Sequence, residues 1–95
     1  MQITLNPAFP ASLWVAFRDD LVLEADALFA DMDAESVLRR CHKLAGSAGV
    51  YGVVVLRQAA VALQESGTPL TDAPARDRLR RAVTATVDAV DAHVE

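Results

Sequence analysis

The chain has 95 residues, a formal net charge of −4 and a hydrophobic fraction of 53%. This length suits one small domain over residues 1–95, and the apolar content is too high for a disordered chain. No apolar run approaches the roughly 18 residues of a membrane span, and no signal peptide is recognisable. The negative net charge disfavours nucleic-acid binding. A single cysteine, Cys41, fits a reducing compartment, and the Ala, Val, Arg and Asp bias is typical of GC-rich bacteria, so we expect a bacterial cytoplasmic protein.

Hydrophobic periodicity predicts a first helix over residues 10–32, with Pro10 in its first turn, where a missing N–H costs nothing. Its apolar face is expected to comprise Leu13, Trp14, Phe17, Leu21, Ala25, Leu28 and Met32. The residues before Pro10 leave room for one short extra turn or helix. A second helix is predicted over residues 34–51, with N-cap candidates in residues 31–33. Its apolar face is expected to comprise Val37, Leu38, Cys41, Leu44, Ala45 and Ala48.

A third helix is predicted over residues 53–66, because Gly67 and Pro69 form a stop signal. Its apolar face is expected to comprise Val55, Leu56, Ala59, Ala62 and Leu63. The fourth helix is predicted from residue 72 or 73 to the end of the chain. Its apolar stripe is expected to comprise Leu79, Val83, Val87, Val90 and Val94. Four amphipathic helices with short connections predict an all-α, antiparallel four-helix bundle.

The segment HKLAGSAGVYG, residues 42–52, places three glycines in and after the second predicted helix. Each glycine inside a helix costs about 1 kcal/mol relative to alanine, so a compensating role is expected. At about 100° per residue, His42 lies at the edge of the apolar face, with Gly46 and Gly49 beside it on the outward side. We therefore predict an exposed imidazole on a bare strip of helix. We expect Gly52 to allow close packing of the second and third helices.

The charges around this segment favour an anionic partner. No acidic residue occurs between Glu35 and Glu65. The basic residues of that interval are Arg39, Arg40, Lys43 and Arg57. We predict a basic patch around His42 that attracts a phosphoryl group or the acidic pocket of a partner.

Plainer interpretations of these residues stay open. A histidine at a helix edge is usually a solvated surface residue, and glycines in small bundles often mark helix–helix contacts. Cys41 falls on the apolar face and is interpreted as a small core residue. A metal site is poorly supported because His93 is the only other histidine, and a Ser47–His42 hydrolase dyad needs side chains that point in different directions. The glycines also lack the strand and the Lys-Ser/Thr ending of a nucleotide-binding loop.

The segment resembles the motif of histidine-containing phosphotransfer (HPt) domains. That motif reads approximately His-x-Leu-Lys-Gly-Ser-Ala/Ser-x-x-x-Gly, followed by a leucine. The matching positions are His42, Leu44, Gly46, Ser47, Ala48, Gly49, Gly52 and Leu56. The likeness extends over residues 17–65, and the fourth predicted helix fits the family in length.

The resemblance implies a phosphocarrier without an ATP site of its own, rather than an enzyme. HPt domains exchange a phosphoryl group with an aspartate of a response-regulator receiver domain and hold it as phosphohistidine. His42 would be the phosphorylated nucleophile, since neutral imidazole is nucleophilic. No cofactor is implied for this domain, while Mg²⁺ is expected on the receiver. The implied partners of a monomeric domain are receivers and a hybrid sensor kinase, and the direction of phosphoryl flow stays open.

The remaining residues of the segment receive roles around His42. We expect the following residues to shape the surface of the site: Gly46, Ser47, Gly49 and Gly52. We expect the docking surface to combine the His42 strip with neighbouring side chains. The docking candidates are Arg40, Val54, Arg57 and Gln64, with Val22 and Val61 as further apolar positions.

One position departs from the family pattern. HPt domains commonly carry a lysine three residues after the histidine, where this chain has Ala45. Lys43 and Arg39 are the candidates to stabilise the phosphoryl charge in its place. Two further hypotheses therefore stay open. One is a non-transferring interaction module that keeps the docking surface, and the other is a structural or dimerisation bundle whose glycines serve helix packing.

Overall fold

Four α-helices make up the protein. The computed structural model describes residues 1–94 and contains no strand within them. The helices are α1 (Ala11–Ala30), α2 (Ala34–Tyr51), α3 (Val54–Gln64) and α4 (Ala73–Val94). The all-α prediction is confirmed, and the bounds of α2 match the predicted ones. α1 and α3 end at Ala30 and Gln64 instead of residues 32 and 66, and the predicted end of the fourth helix at residue 95 lies outside the described residues.

The helices form a closed ring around one core. α1 packs against α2, α2 against α3, α3 against α4 and α4 against α1, so that α2 and α4 are diagonal. Consecutive helices run antiparallel because the connections at residues 31–33, 52–53 and 65–72 are short. The predicted four-helix bundle is confirmed, with extents of 37 × 21 × 18 Å. None of its helices within residues 1–94 has the length and apolarity that crossing a membrane requires.

The residues that flank α2 set its two ends. The Asp33 carboxylate accepts a hydrogen bond from the Ser36 N–H at 3.2 Å, as predicted for a cap within residues 31–33. At the other end Gly52 has a φ of 73°, a left-handed conformation that glycine adopts without strain. Between these two signals the helix is continuous, and His42 lies near its middle.

The core is formed by the inner faces of all four helices. Its largest fully buried side chains are Trp14, Leu28, Leu56, Leu63, Leu79, Val37, Val53, Val90, Thr86 and Cys41. Two predicted core positions are wrong, because Leu13 lies exposed in the first turn of α1 and Met32, 87% exposed, lies beyond its end. The predicted core residues that are only half-buried are Leu38, Val55, Ala62, Val83, Val87 and Val94.

Small residues that the sequence analysis did not select complete the core. Ala60, Ala82 and Thr86 are fully buried. The Thr86 hydroxyl donates a hydrogen bond to the Ala82 carbonyl at 2.7 Å, which satisfies this polar group inside the bundle. Small side chains at these positions let neighbouring helices approach closely.

An aromatic cluster closes the end of the bundle at which α2 meets α3. The segment before α1 contains a short turn at residues 6–9, one of the two forms predicted for it. Phe9 from this segment contacts Trp14 and Tyr51, with ring centroids 5.7 and 5.3 Å apart, and Phe17 lies 4.5 Å from Tyr51. Because Tyr51 is the last residue of α2, these contacts hold the helix end that follows Gly49 in place.

Candidate functional site

His42 is exposed near the middle of α2. Its neighbours Cys41, Leu44 and Ala45 are buried in the core, which turns the imidazole outward and confirms its predicted exposure. Burial raises the pKa of the Cys41 thiol to about 11, so this group is protonated at neutral pH. The residue beside His42 is therefore a packing side chain and not a competing nucleophile.

The surface next to His42 is open at Gly46. Apart from its chain neighbours and the nearby backbone of α2, a Cβ atom built on Gly46 would meet no atom of residues 1–94 within 4 Å, so no neighbouring helix packs against this position. A Cβ atom on Gly49 would lie 3.5 Å from the Cδ and Nε atoms of Arg57, whose side chain covers that part of the helix. The predicted bare strip is thus present at Gly46 and partly covered at Gly49.

Gly52 does not bring α2 and α3 into close contact, and this prediction is wrong. Apart from its chain neighbours, no atom of the described chain lies within 4 Å of its Cβ position. The glycine is required instead by its φ of 73°, which lets the chain leave α2 and enter α3. The interpretation of the glycines as helix-packing positions within the bundle therefore fails for both Gly46 and Gly52.

A shallow groove brings three predicted site residues together. It is lined by His42, Arg39, Gln64, Glu35 and Leu38. Gln64 is the last residue of α3, so the groove extends from α2 to the end of the neighbouring helix. Among residues 1–94, the exposed Arg39 makes no ion pair. Its guanidinium is therefore available to an anion beside the imidazole.

Two of the predicted basic residues are bound to α1 instead. The Lys43 Nζ donates to Glu24 Oε1 at 2.7 Å, and the Arg40 Nη1 donates to the other Glu24 oxygen at 3.3 Å. Arg40 Nε also donates to Asp31 Oδ2 at 3.4 Å. The hydrogen bond between Lys43 and Glu24 lowers the pKa of Glu24 and raises the pKa of Lys43, so both groups are charged at neutral pH. The predicted basic patch is wrong for Arg40 and Lys43, because Glu24 of α1 and Asp31, which follows α1, form ion pairs with them.

The end of α2 and the start of α3 expose apolar side chains near the open glycine. Val54, a predicted docking residue, is 60% exposed, and Val50 is 73% exposed. Sequence analysis missed Val50, although it follows Gly46 by four residues and therefore lies on the same outward row of α2. Ser47 is half-buried and lies about 140° around the helix from His42, which agrees with the rejection of a hydrolase dyad.

The second histidine lies elsewhere. His93 is exposed in the last turn of α4, and α4 is diagonal to α2 in the bundle. Within residues 1–94, no three His, Cys, Asp or Glu side chains are grouped so as to hold a metal ion. The chemistry that this surface offers is therefore that of a single exposed imidazole with a neighbouring guanidinium.

Comparison with known proteins tests the resemblance independently of this geometry. The family model of the Hpt domain matches residues 13–93, from the first turn of α1 to the last turn of α4. No curated protein and no solved structure gives a match. Because the match covers nearly the whole four-helix bundle, including the helix that exposes His42, the chain belongs to the Hpt domain family, the histidine phosphotransfer modules that work with receiver domains in phosphorelays.

Proposed function

We propose that this protein carries a phosphoryl group on His42 to or from an aspartate of a response-regulator receiver domain. The observation that carries the proposal is the exposed imidazole beside the open surface of Gly46. An aspartyl phosphate lies within a pocket of its receiver, so the attacking side chain must project from a surface without bulky neighbours. His42 meets this requirement because the helix beyond it carries no side chain at Gly46.

The reaction needs only the nucleophile from this chain. A nitrogen of the neutral His42 ring attacks the phosphorus of the aspartyl phosphate. The N–P bond forms as the P–O bond breaks, and the aspartate carboxylate leaves with the electron pair. Mg²⁺ on the receiver would neutralise charge on the phosphoryl oxygens, and we assign no cofactor to this domain. Because a sensor kinase would supply the ATP-dependent step, we class the chain as a phosphocarrier.

We assign the contact with the phosphoryl oxygens to Arg39. The position of the usual lysine is occupied by Ala45, which is buried and carries no charge. Arg39 lines the same groove as His42, and a guanidinium presents several N–H donors that match phosphoryl oxygens in pairs. Lys43, the other candidate, is hydrogen-bonded to Glu24.

The surface around His42 supports a docking role. We define the docking surface as Gly46, Val50, Val54, Arg57 and Gln64. Val50 and Val54 add exposed apolar surface beside polar side chains, and a docked partner would bury that surface. Arg40 is left out of this surface, because its guanidinium is hydrogen-bonded to Glu24 and Asp31 on the α1 side. Composition supports the further proposal of a bacterial cytoplasmic location, and the family resemblance supports that of a monomer.

Transfer from a phosphorylated receiver tests the site assignment, and His93→Gln serves as the matched control. We expect the wild type and His93→Gln to acquire the label and His42→Gln to remain unlabelled. Equal labelling of His42→Gln and the wild type would show that another residue accepts the phosphoryl group.

A small phosphoryl donor separates docking from chemistry. Phosphoramidate phosphorylates an exposed imidazole without a protein partner, so Val54→Glu should keep labelling by phosphoramidate and lose labelling by the receiver. Loss of both reactions would indicate that the substitution damages the fold, which circular dichroism would reveal. Retention of both would exclude Val54 from the docking surface.

A non-transferring interaction module is the second candidate function. It is favoured by Ala45 at the usual lysine position and by the hydrogen bond that Lys43 donates to Glu24. Under this hypothesis His42→Gln would bind the receiver as tightly as the wild type, and neither protein would take up phosphoryl groups. Labelling of the wild type at His42 decides in favour of the carrier.

A further inference from the structure

We propose that Glu24 is a positioning residue that holds Lys43 away from His42 and leaves Arg39 to make the contact with the phosphoryl group. This inference rests on the proposed function, because it concerns the phosphorylated state of His42. It makes the lifetime of the phosphohistidine depend on a carboxylate of α1 that does not line the groove of His42.

The contacts of Glu24 support a holding role. Its side chain is only 14% exposed, and each carboxylate oxygen accepts a hydrogen bond from a different cation of α2. Lys43 Nζ lies 2.7 Å from one oxygen, and Arg40 Nη1 lies 3.3 Å from the other. The same contacts keep the carboxyl ionised, since the hydrogen bond from Lys43 lowers the pKa of Glu24. Glu24 is therefore a fixed anion with two cations bound to it.

Two shallow grooves on α2 distinguish Arg39 from Lys43, the two candidate cations. One shallow groove is lined by Glu24, Ser36, Arg39, Arg40 and Lys43. The other is lined by Glu35, Leu38, Arg39, His42 and Gln64. Arg39 borders both grooves, whereas Lys43 lines only the groove that lacks His42. A phosphoryl group on His42 would thus meet Arg39 directly, and Lys43 would have to leave Glu24 to reach it.

The strength of the Glu24–Lys43 pair makes the effect measurable. Lys43 is more than half exposed, so its ion pair with Glu24 is weak and can open. Hydrolysis breaks the N–P bond through a loose, metaphosphate-like transition state. Metaphosphate carries one negative charge, whereas the phosphoryl group of phosphohistidine carries about two. A cation on the phosphoryl oxygens stabilises the ground state more than the transition state and slows hydrolysis. Release of Lys43 should therefore lengthen the lifetime of the phosphohistidine.

The test measures hydrolysis of protein labelled with phosphoramidate. We expect Glu24→Gln to lengthen the half-life of the label about two- to fivefold, the range that an exposed ion pair supports. Addition of Lys43→Gln should abolish this gain, whereas addition of Arg40→Gln should preserve it. Arg39→Gln alone should shorten the half-life. An unchanged half-life in Glu24→Gln, or a gain that survives Lys43→Gln, overturns the inference.

A second measurement requires no phosphorylation. If Glu24 holds Lys43 in solution, Glu24→Gln should lower the pKa of Lys43, which NMR of the side-chain carbon can follow. An unchanged Lys43 pKa overturns the inference even if the label cannot be introduced. Labelling of His42→Gln as strong as that of the wild type, by contrast, overturns the proposed function itself. The failures of the two proposals are therefore distinguishable.

Discussion

Replacing either of two glycines by alanine should change the stability of the protein, in opposite directions at the two positions, although both have open surroundings. At both Gly46 and Gly52, no described atom beyond the adjacent chain lies within 4 Å of the Cβ position. Gly46 lies inside α2, where alanine is favoured over glycine by about 1 kcal/mol. Gly52 has a φ of 73°, which costs a residue with a Cβ about 1–2 kcal/mol. Gly46→Ala should therefore stabilise the protein, and Gly52→Ala should destabilise it.

Thermal unfolding shows whether each substitution raises or lowers the stability of the protein. For a domain of this size, a change of 1 kcal/mol shifts Tm by about 4–8 °C. Circular dichroism follows the helices, and fluorescence of the buried Trp14 reports the packing of the core. A lower Tm for Gly46→Ala would refute the open surface at Gly46. A higher Tm for Gly52→Ala would refute the left-handed cap.

The same position links stability to function. Gly46→Gln should keep the stability of the wild type, because glutamine is a better helix former than glycine. It should nevertheless slow transfer from the receiver by about 5- to 150-fold, since overpacking a close contact costs about 1–3 kcal/mol. Labelling by phosphoramidate provides the control, because this donor is small enough to reach His42 past the new side chain. Transfer at the wild-type rate would show that the receiver does not approach over Gly46.

Three further results are expected from the wild-type contacts. Asp33→Ala removes the cap of α2 and should lower the free energy of unfolding by about 1 kcal/mol, measured as a lower urea midpoint; an unchanged midpoint would contradict the cap. The Cys41 thiol, whose pKa is about 11, should resist thiol reagents at pH 8 until urea unfolds the protein; stoichiometric reaction of the folded protein would contradict its burial. The pKa of Glu24 is lowered by folding, so its stabilisation is complete above its ordinary value of 4.5 and is lost as the pH falls through the lower folded value. The difference in unfolding free energy between the wild type and Glu24→Gln should accordingly shrink below that pH, and a constant difference would contradict the lowered pKa.

The fold was predictable where local signals were strong. The bounds of α2 follow from Asp33 and Gly52, residues whose cap chemistry is visible in the sequence. The end of α1 was placed too late because Met32 continues the apolar spacing. In the structure the Asp31 carboxylate accepts a hydrogen bond from the Asp33 N–H at 3.0 Å, and this local turn ends the helix before Met32.

Side-chain size explains the core residues that were missed. A stripe read from the sequence gives weight to Leu, Val and aromatic residues, and it selected Val83 and Val87, which are half-buried. The centre of the α4 interface is instead formed partly by Ala82 and Thr86, which are fully buried. Which side of an apolar stripe lies deepest depends on where the neighbouring helices touch it, and that information is not local.

The candidate site also contains some features that the sequence predicts and others that it does not. The relation of His42 to Gly46 follows from helical spacing alone, and so it could be predicted. Which of the four basic residues are paired could not be predicted, because the partner of Lys43 and Arg40 lies far away in sequence: Glu24 precedes Lys43 by 19 positions and Arg40 by 16. A count of charges along the segment treats its cations as equivalent, whereas α1 binds two of them and leaves Arg39 beside the imidazole.

The ion pairs of these basic residues matter because Ala45 occupies the position of the usual lysine. Under the proposed function, Arg39 is the positive group closest at hand for a phosphoryl group on His42, because both residues line the same groove. Lys43 becomes a second such group only when the Glu24 contact breaks. Under this proposal the loss of the usual lysine leaves Arg39 in the groove of His42, and only the contribution of Lys43 depends on how α1 packs against α2. Substitutions at the α1–α2 contact should consequently change the lifetime of the phosphorylated state even when they leave the groove of His42 intact.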